Sequence, residues 1–453
     1  MSIAKSLSII GTLPVLGFCA AGQSPVTKPN IVYILCDDLG YGDVSCLNPS
    51  RGKIPTPNID RLAREGMTFT DAHSGASVCT PSRYGILTGR YAWRSRLQRG
   101  VLGGNEAHDP LIAEDQLTVP KFLKRFGYHS ACLGKWHLGF KFSGTRTPRN
   151  KGQGRHKKDY SSGYPVGTPI VGGPTTRGFD YYLGFHHSKW MKTVIENDRV
   201  IAELEPVQML QYLKEHAIKY IQERARDRKP FFLYLPLNSP HAPIVPSPAW
   251  QGKSKLGPYG DFVMETDDVV GQVLDALKRC QLEENTIVIF TSDNGCSYPA
   301  AHGEQLEKLG HFPSAQFRGA KSDIWDGGHR LPFIVRWPGR VKPGSTCDAL
   351  VCHTDLLATC AELLNATLPQ DAGEDSISFL PLLFGKAFAH QRKTVIHHSI
   401  SGRFAIRDKR WKLILCPGSG GWSSPTDAEA EEQHLPEMQL YDMEADCSEQ
   451  KNL

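Results

Sequence analysis

The sequence predicts an α/β fold: a mostly parallel sheet sandwiched by helices, followed by a smaller C-terminal α+β domain. Two observations predict it. Short apolar, partly β-branched runs alternate with amphipathic stretches through most of the chain, as strands joined by crossover helices do. From about residue 345 that rhythm gives way to shorter elements. The length agrees, since 453 residues are too many for one ordinary domain. The expected boundaries are 28–344 for the large domain and 345–453 for the small one.

Each element has its own local reason. Ile31 to Leu35 is an apolar run that reads as a buried strand. Thr56 to Glu65 reads as a helix, with Thr56 as cap, Pro57 in the first turn and Gly66 as the stop. Val119 to Phe126 is a short helix ended by Gly127, and Tyr128 to Leu133 is the next strand. Val207 to Ala225 is a long amphipathic helix leading to a strand at Phe231 to Leu235. Phe262 to Cys280 is another helix, followed by the very apolar strand Thr286 to Thr291, and Phe333 to Trp337 is one more strand. Residues 141 to 176 break the rhythm. They are rich in Gly, Pro and basic residues, with Arg146, Arg149, Lys151, Arg155, Lys157 and Lys158 close together. This stretch reads as a long surface loop, either a plain solvated insertion or a basic wall for a polyanion. In the C-terminal part, Thr354 to Leu364 reads as a helix, and Phe404 to Ile406 and Lys412 to Leu415 as short strands.

Composition narrows the class. Hydrophobic residues make up 40% of the chain and charged residues 22%, which supports a sizeable core and argues against wholesale disorder. A net charge of +5 is too mild to suggest nucleic acid but agrees with an anionic substrate. Residues 1–22 read as a signal peptide: Lys5, an apolar run from Ser6 to Phe18, then small residues. That run is too short to span a bilayer comfortably, so no transmembrane segment is expected. A lipid-modified Cys19 would be an alternative end to the leader, although Phe18 is bulkier than the residue usually found before such a cysteine. The chain has 12 cysteines. Setting aside Cys19 and Cys79 leaves an even number, which export would allow to pair, and no Cys-x-x-Cys points to zinc.

Ligands of an open parallel sheet bind beyond the carboxyl ends of its strands. Here the first strand ends in Cys36-Asp37-Asp38, and the Thr286 strand ends in Ser292-Asp293-Asn294-Gly295. The Phe231 strand leads to Asn238-Ser239-Pro240-His241, and the Tyr128 strand to Gly134-Lys135-Trp136-His137. Asp37, Asp38, Asp293 and Asn294 are hard oxygen donors. Crowded carboxylates repel unless a cation sits among them, and oxygen-only ligation suits calcium or magnesium. Each pair alone also suits a helix cap or a turn. Two pairs at equivalent strand ends favour the cation.

The sharpest local signal is Cys79-Thr80-Pro81-Ser82-Arg83, continued by Leu87-Thr88-Gly89-Arg90. Pro81 suits the first turn of a helix, which puts Cys79 at the helix N-terminus, where backbone amides favour an anion. Arg83, one turn on, can face the same anion. A buried structural cysteine before a helix would read the same way.

At these residues the chain resembles the type I sulfatases of the alkaline phosphatase superfamily. The Cys79 segment resembles that family's signature for converting cysteine to formylglycine. Pro29-Asn30-Ile31-Val32 with Asp37-Asp38-Leu39-Gly40 resembles its opening, and Gly134-Lys135-Trp136-His137-Leu138-Gly139 its second signature. Pro240-His241-Ala242-Pro243, Thr291 to Gly295, and Arg318-Gly319-Ala320-Lys321 followed by Gly327-Gly328 also match, as does the tail from Leu440-Tyr441-Asp442 to Asn452-Leu453. Asp326 stands where the family commonly has Glu, and Cys447 where Pro is frequent. A hydroxyl that some relatives place near the sulfate has no evident counterpart.

The resemblance implies an alkaline-phosphatase-like fold and a sulfuric ester hydrolase of the arylsulfatase-like class. It implies that a formylglycine-generating enzyme oxidises Cys79. It implies one Ca2+ held by Asp37, Asp38, Asp293 and Asn294 and touching residue 79. Arg83 would hold these groups in place. Lys135, Lys321 and His241 would surround the sulfate, His241 or Lys321 would protonate the leaving oxygen, and His137 would act as base. Two rivals remain. A phosphoesterase or phosphonate hydrolase of the same superfamily would present Thr or Ser and a second metal set. A glycan-binding pseudoenzyme would have lost a ligand or basic group, and none is lost. The leader and the basic insertion favour a sulfated carbohydrate. The segment Arg90 to Arg94 and the overall pattern favour galactose or N-acetylgalactosamine 6-sulfate. Arg94, His108, His186, His187 and Trp190 are candidate pocket residues. A single sequon, Asn365-Ala366-Thr367, with a short leader favours an exported bacterial enzyme, periplasmic or secreted.

Overall fold

The computed structural model describes residues 28–103, 109–146, 159–386 and 392–453. The expected leader with Cys19, the candidate His108, and Arg149, Lys151, Arg155, Lys157 and Lys158 lie outside the described residues.

A ten-stranded sheet runs through the molecule. From one edge its strands are Ser345–Cys347, Met67–Phe69, Phe333–Arg336, Thr286–Ser292, Asn30–Asp37, Phe231–Pro240, His129–Lys135, Tyr181–Phe185, Thr193–Glu196 and Arg199–Glu203. The central five, from Thr286 to Phe185 in that order, are parallel. Phe333–Arg336 and the Thr193 and Arg199 strands pair antiparallel. The sheet is therefore mixed, with a parallel centre. Strand Asn30–Asp37 is buried along its whole length, as a central parallel strand must be.

Alternation sorts its side chains to two cores. Ile31, Tyr33 and Leu35 face one, with helices Cys79–Thr88, Val119–Lys124 and Leu356–Leu363. Val32, Ile34 and Cys36 face the other, with helices Pro57–Glu65, Pro206–Asp227 and Pro258–Arg279. Each fully buried side chain of this kind contributes about 1.5–3 kcal/mol.

Most local signals acted as read, although the helix read from Phe262 begins at Pro258. Pro57 and Gly66 bound the first helix, but the Thr56 hydroxyl bonds Asp60 instead of the helix backbone. The cap comes from the neighbouring helix: Asp267 accepts the Asn58 and Ile59 amides at 3.0 and 2.8 Å. In the stretch read as a loop, Lys141–Phe142 and Ile170–Val171 form a short ladder.

A four-stranded antiparallel sheet closes the chain: Val395–His398, Phe404–Arg407, Trp411–Ile414 and Gln439–Asp442. The residues just before it stay with the main body. Ser345–Cys347 pairs with Met67–Phe69, and Leu356–Leu363 packs in the first core. The small sheet packs through two apolar clusters, Ala405, Ile414 and Tyr441 with Ile324 and Trp325, and Val395 with Tyr91 and Leu350, and is also fastened by buried charge. Lys412 Nζ lies 2.8 Å from Asp326 and 2.7 Å from Glu449, and Arg407 reaches Asp326 at 2.8 Å and Asp71 at 2.9 Å. All eleven cysteines among the described residues are unpaired. No helix among them is long and apolar enough to cross a membrane.

Two buried histidines make the fold acid-sensitive. Burial, with Arg407 opposing the bond from Asp71, pushes His73 down to about 4, and burial beside His73 pushes His353 down to about 3. In the unfolded chain both titrate near 6.5. Between pH 6.5 and 4 the unfolded chain holds more protons, so stability falls as pH drops through that window. The slope is about 1.4 kcal/mol per pH unit per group. The thermal midpoint should decline from pH 6.5 to 4.5 and His353→Asn should flatten the decline; equal slopes in both proteins would refute the assignment.

Candidate active site

Strand register brings the polar groups together. Leu35 pairs with Thr291 and Cys36 with Ser292, so Asp37-Asp38 and Asp293-Asn294 leave the sheet at one level. On the other side Asp37 pairs with Pro240, which sets His241 beside them. Lys135 ends the next strand, and Cys79 opens helix Cys79–Thr88 behind an extended Val78. Donor atoms of Asp37, Asp38, Cys79 and His241 all lie within 4.8 Å of one another.

Three close approaches make this possible. A Cβ on Gly134 would stand 1.9 Å from the Pro236 oxygen, and one on Gly184 would stand 1.9 Å from the Gly134 oxygen. These glycines let the Lys135 strand lie flat between its neighbours. A Cβ on Gly295 would stand 1.9 Å from the Gly327 oxygen, so the paired glycines seat the Lys321 loop against the Asp293 loop. The Lys321 amide then donates to the Cys296 oxygen at 2.9 Å. Asp38, His137 and Ser322 all hold positive φ (69°, 55° and 86°), a conformation that costs free energy and is held by its surroundings.

Charge is closely matched. Lys135 Nζ donates to Asp37 at 2.6 Å, and Lys321 Nζ to Asp38 at 2.6 Å. Arg83, read from helical spacing as able to face an anion at Cys79 and from the resemblance as holding the surrounding groups in place, donates from Nε and Nη2 to Asp293 at 3.0 and 2.7 Å and from Nη1 to the Lys135 oxygen at 3.0 Å. It braces the carboxylates. Asn294 donates to Asp38 at 2.8 Å. Burial alone would raise the Asp37 carboxyl, but His241, Lys135, Arg83 and Lys321 outweigh it and hold it ionised. Asp293 goes the other way: burial and the Asp37 charge push it up to about 7.

Two acceptors are left over. Asp37 Oδ1 and Asn294 Oδ1 are buried and accept no hydrogen bond from the protein. Orphaned hard oxygens among three crowded carboxylates fit a divalent cation with a preference for oxygen. The four residues read from the sequence as ligands are thus brought together.

The other candidates fall around this centre. Lys135 and Asp37 side chains are wholly buried, whereas His241 keeps 18% exposure and Lys321 7%, so the site opens on the His241–Lys321 side. His241 Nε2 is 3.7 Å from Asp38. His137 Nε2 donates to the Leu102 oxygen at 2.8 Å, which leaves Nδ1 as a buried, unbonded lone pair. Burial, His187 and Lys135 keep His137 neutral. His187 packs edge-on against His137 at 4.5 Å between centroids. Burial leaves the Cys79 thiol above its ordinary value, so unmodified it is a poor nucleophile.

Two pocket candidates are otherwise occupied. Arg94 is paired with Asp375 at 2.6 and 2.7 Å. Trp190 is buried, with the Arg146 guanidinium 5.7 Å from its centroid. Sequence reading missed Ser188, next to His187, whose buried hydroxyl has no hydrogen-bond partner. Its signal was a strand end: Tyr181–Phe185 delivers it to the same edge as the four strands already recognised.

Comparison with known proteins agrees with this geometry. The family profile described as Sulfatase matches residues 29–366, and one described as N-sulphoglucosamine sulphohydrolase, C-terminal, matches 320–453. An N-acetylgalactosamine-6-O-sulfatase of Bacteroides thetaiotaomicron is 34% identical over 469 residues, covering 94% of this chain and 89% of that protein. Human arylsulfatase A is 32% identical over 460 residues, covering 96% and 85%. A solved structure described with the metabolism of multiple glycosaminoglycans by the same Bacteroides superposes with a TM-score of 0.79 at 30% identity, covering 94% and 95%.

Removing Arg83 should be costly, because it leaves buried carboxylates unpaired. Arg83→Met should lose about 3–5 kcal/mol of stability. Added calcium should raise the thermal midpoint of the wild-type protein, and Asp293→Ala should abolish that rise. A midpoint in Asp293→Ala that still climbs with calcium would place the cation elsewhere.

Proposed function

The chain belongs to the sulfatase family, and we propose that it is an exported, calcium-dependent member acting through residue 79 in its formylglycine form. It hydrolyses sulfate esters of sulfated carbohydrates. The observation that carries the finer reading is Cys79 at a helix start, within 4.8 Å of donor atoms from Asp37, Asp38 and His241.

Asp37, Asp38, Asp293 and Asn294 would hold the cation, with residue 79 beside it. When bound, the cation would neutralise sulfate charge, and the hydrated aldehyde would supply an oxygen nucleophile whose second hydroxyl allows sulfate to leave. The remaining work belongs to side chains in place. Lys135, Lys321 and His241 surround the sulfate oxygens and lower the cost of bringing an anion to a buried site. His241 and Lys321, on the open side, are placed to give a proton to the departing alcohol. His137, neutral with Nδ1 unbonded, is placed to accept the proton released from residue 79. Ser188 would add a neutral donor to the sulfate. Arg83 keeps the carboxylates apart and fixed.

The relatives named for N-acetylgalactosamine 6-sulfate support a galactose-type 6-sulfate as substrate. The leader at residues 1–22 supports export, in a bacterium to the periplasm or medium. Domain limits of 28–344 and 345–453 remain our proposal, residues 345–363 being the part of the smaller domain that packs into the large body.

The test is free sulfate released from galactose, N-acetylgalactosamine and N-acetylglucosamine 6-sulfates and an aryl sulfate. The protein would be made with a formylglycine-generating enzyme, and Cys79→Ala would be the control. Release from a 6-sulfated galactose-type sugar should fall at least a thousandfold in the control. Release of phosphate from phosphoesters, with none of sulfate, would overturn the proposal. His137→Ala should lower kcat far more than it raises KM.

A further inference from the structure

Trp422 is exposed over 49% of its surface, yet the backbone beneath it is tightly held. Its amide donates to Ser322 Oγ at 3.0 Å and to Asp323 Oδ1 at 2.9 Å. The Ser423 amide donates to the same Asp323 oxygen at 3.1 Å, and the Ser423 hydroxyl to the other oxygen. Asp323 and Ser322 are buried. A Cβ on Gly421 would meet Asp323 Oδ1 at 2.3 Å, so the loop can seat there only with glycine before Trp422.

This anchor adjoins the reacting centre. Ser322 follows Lys321, whose amino group is on Asp38. The Ser322 amide donates to the oxygen of Ser77, two residues before Cys79, at 2.8 Å. The Ser322 oxygen accepts from Ile400 at 3.0 Å, and the Ile400 oxygen accepts from Gly100 at 2.7 Å. The strand of chain from Gly100 leads to Leu102, which receives the His137 bond and donates to Thr80 Oγ1 at 3.2 Å. Loops around residues 100, 322, 400 and 422 thus form one hydrogen-bonded lip beside Cys79. Lys321 reaches from this lip to Asp38, so the loop that carries Trp422 is fastened to the residue next to one of the groups of the centre.

A half-exposed indole on a backbone anchored to the segment that delivers Lys321 is a surface for stacking, since aromatic faces pair with flat apolar faces at low entropic cost. We infer that Trp422, carried by the C-terminal sheet, stacks on the pyranose ring next to the sulfated sugar of an oligosaccharide substrate. This rests on the sulfatase reading, and deepens it by making the enzyme prefer a chain to a single sugar.

The experiment compares a 6-O-sulfated galactosaminoglycan tetrasaccharide, N-acetylgalactosamine 6-sulfate and an aryl sulfate. Trp422→Ala should lower kcat/KM on the tetrasaccharide at least tenfold more than on either small substrate, mostly through KM, and Trp422→Phe should restore most of the loss. Trp411→Ala, which removes another exposed tryptophan, should change all three within about twofold. Binding of the tetrasaccharide to Cys79→Ser protein, followed by calorimetry, should weaken at least tenfold when Trp422→Ala is added. Equal losses on all three substrates, or tetrasaccharide binding unmoved by Trp422→Ala, would overturn the inference. If the wild type releases no sulfate, the sulfatase reading fails, and the calorimetry still decides whether Trp422 holds a sugar.

Discussion

Three carboxylates buried at the ends of adjacent parallel strands set the terms for the rest of this protein. Asp37, Asp38 and Asp293 are each almost fully excluded from water. Ions so placed are expensive unless each finds a partner. The fold supplies one cation from each of three directions: Arg83 from the helix, Lys135 from a neighbouring strand and Lys321 from a loop. Each partner is fixed by a backbone feature. Gly134 flattens one strand, Gly295 and Gly327 allow two loops to touch, and Pro81 starts the helix. Two oxygens still lack a donor, so the centre keeps acceptor capacity that its own residues do not fill. The site is built around something it must acquire.

Much of this was legible in the residues. The central strands announced themselves by unbroken apolar runs, and the polar groups sat directly behind them. The rule that ligands gather at carboxyl ends then brought Asp37, Lys135, His241 and Asp293 to one edge. Arg83 was harder. Helical spacing placed it near Cys79 but could not say that two acids from other strands would claim it. The short strands Met67–Phe69, Tyr181–Phe185 and Ser345–Cys347 escaped because a run of three to five residues carries little periodicity. With Tyr181–Phe185 went Ser188. Cysteine number was a poor guide as well, since parity allows pairing only where geometry brings sulfurs together.

The small C-terminal sheet does more than close the chain. It is joined to the large body by an ionic lattice of Lys412, Arg407, Asp326, Asp71 and Glu449 beside an apolar cluster that includes Ile324, Trp325 and Tyr441. Asp326 stands at its centre, one residue before the paired glycines that seat the Lys321 loop. Seating of the small sheet and placement of Lys321 are therefore coupled through one short segment.

Cys79 is 3% exposed and every residue of its helix is buried. No second protein can take hold of that thiol once the helix is packed between the sheet and Leu356–Leu363. An enzyme that converts it as proposed would have to meet the segment as extended chain. Under that proposal the active site has a deadline: the chemistry that equips it would compete with the collapse of its own core. Fast folding would then leave well-packed, inert molecules, and slower folding a larger active fraction.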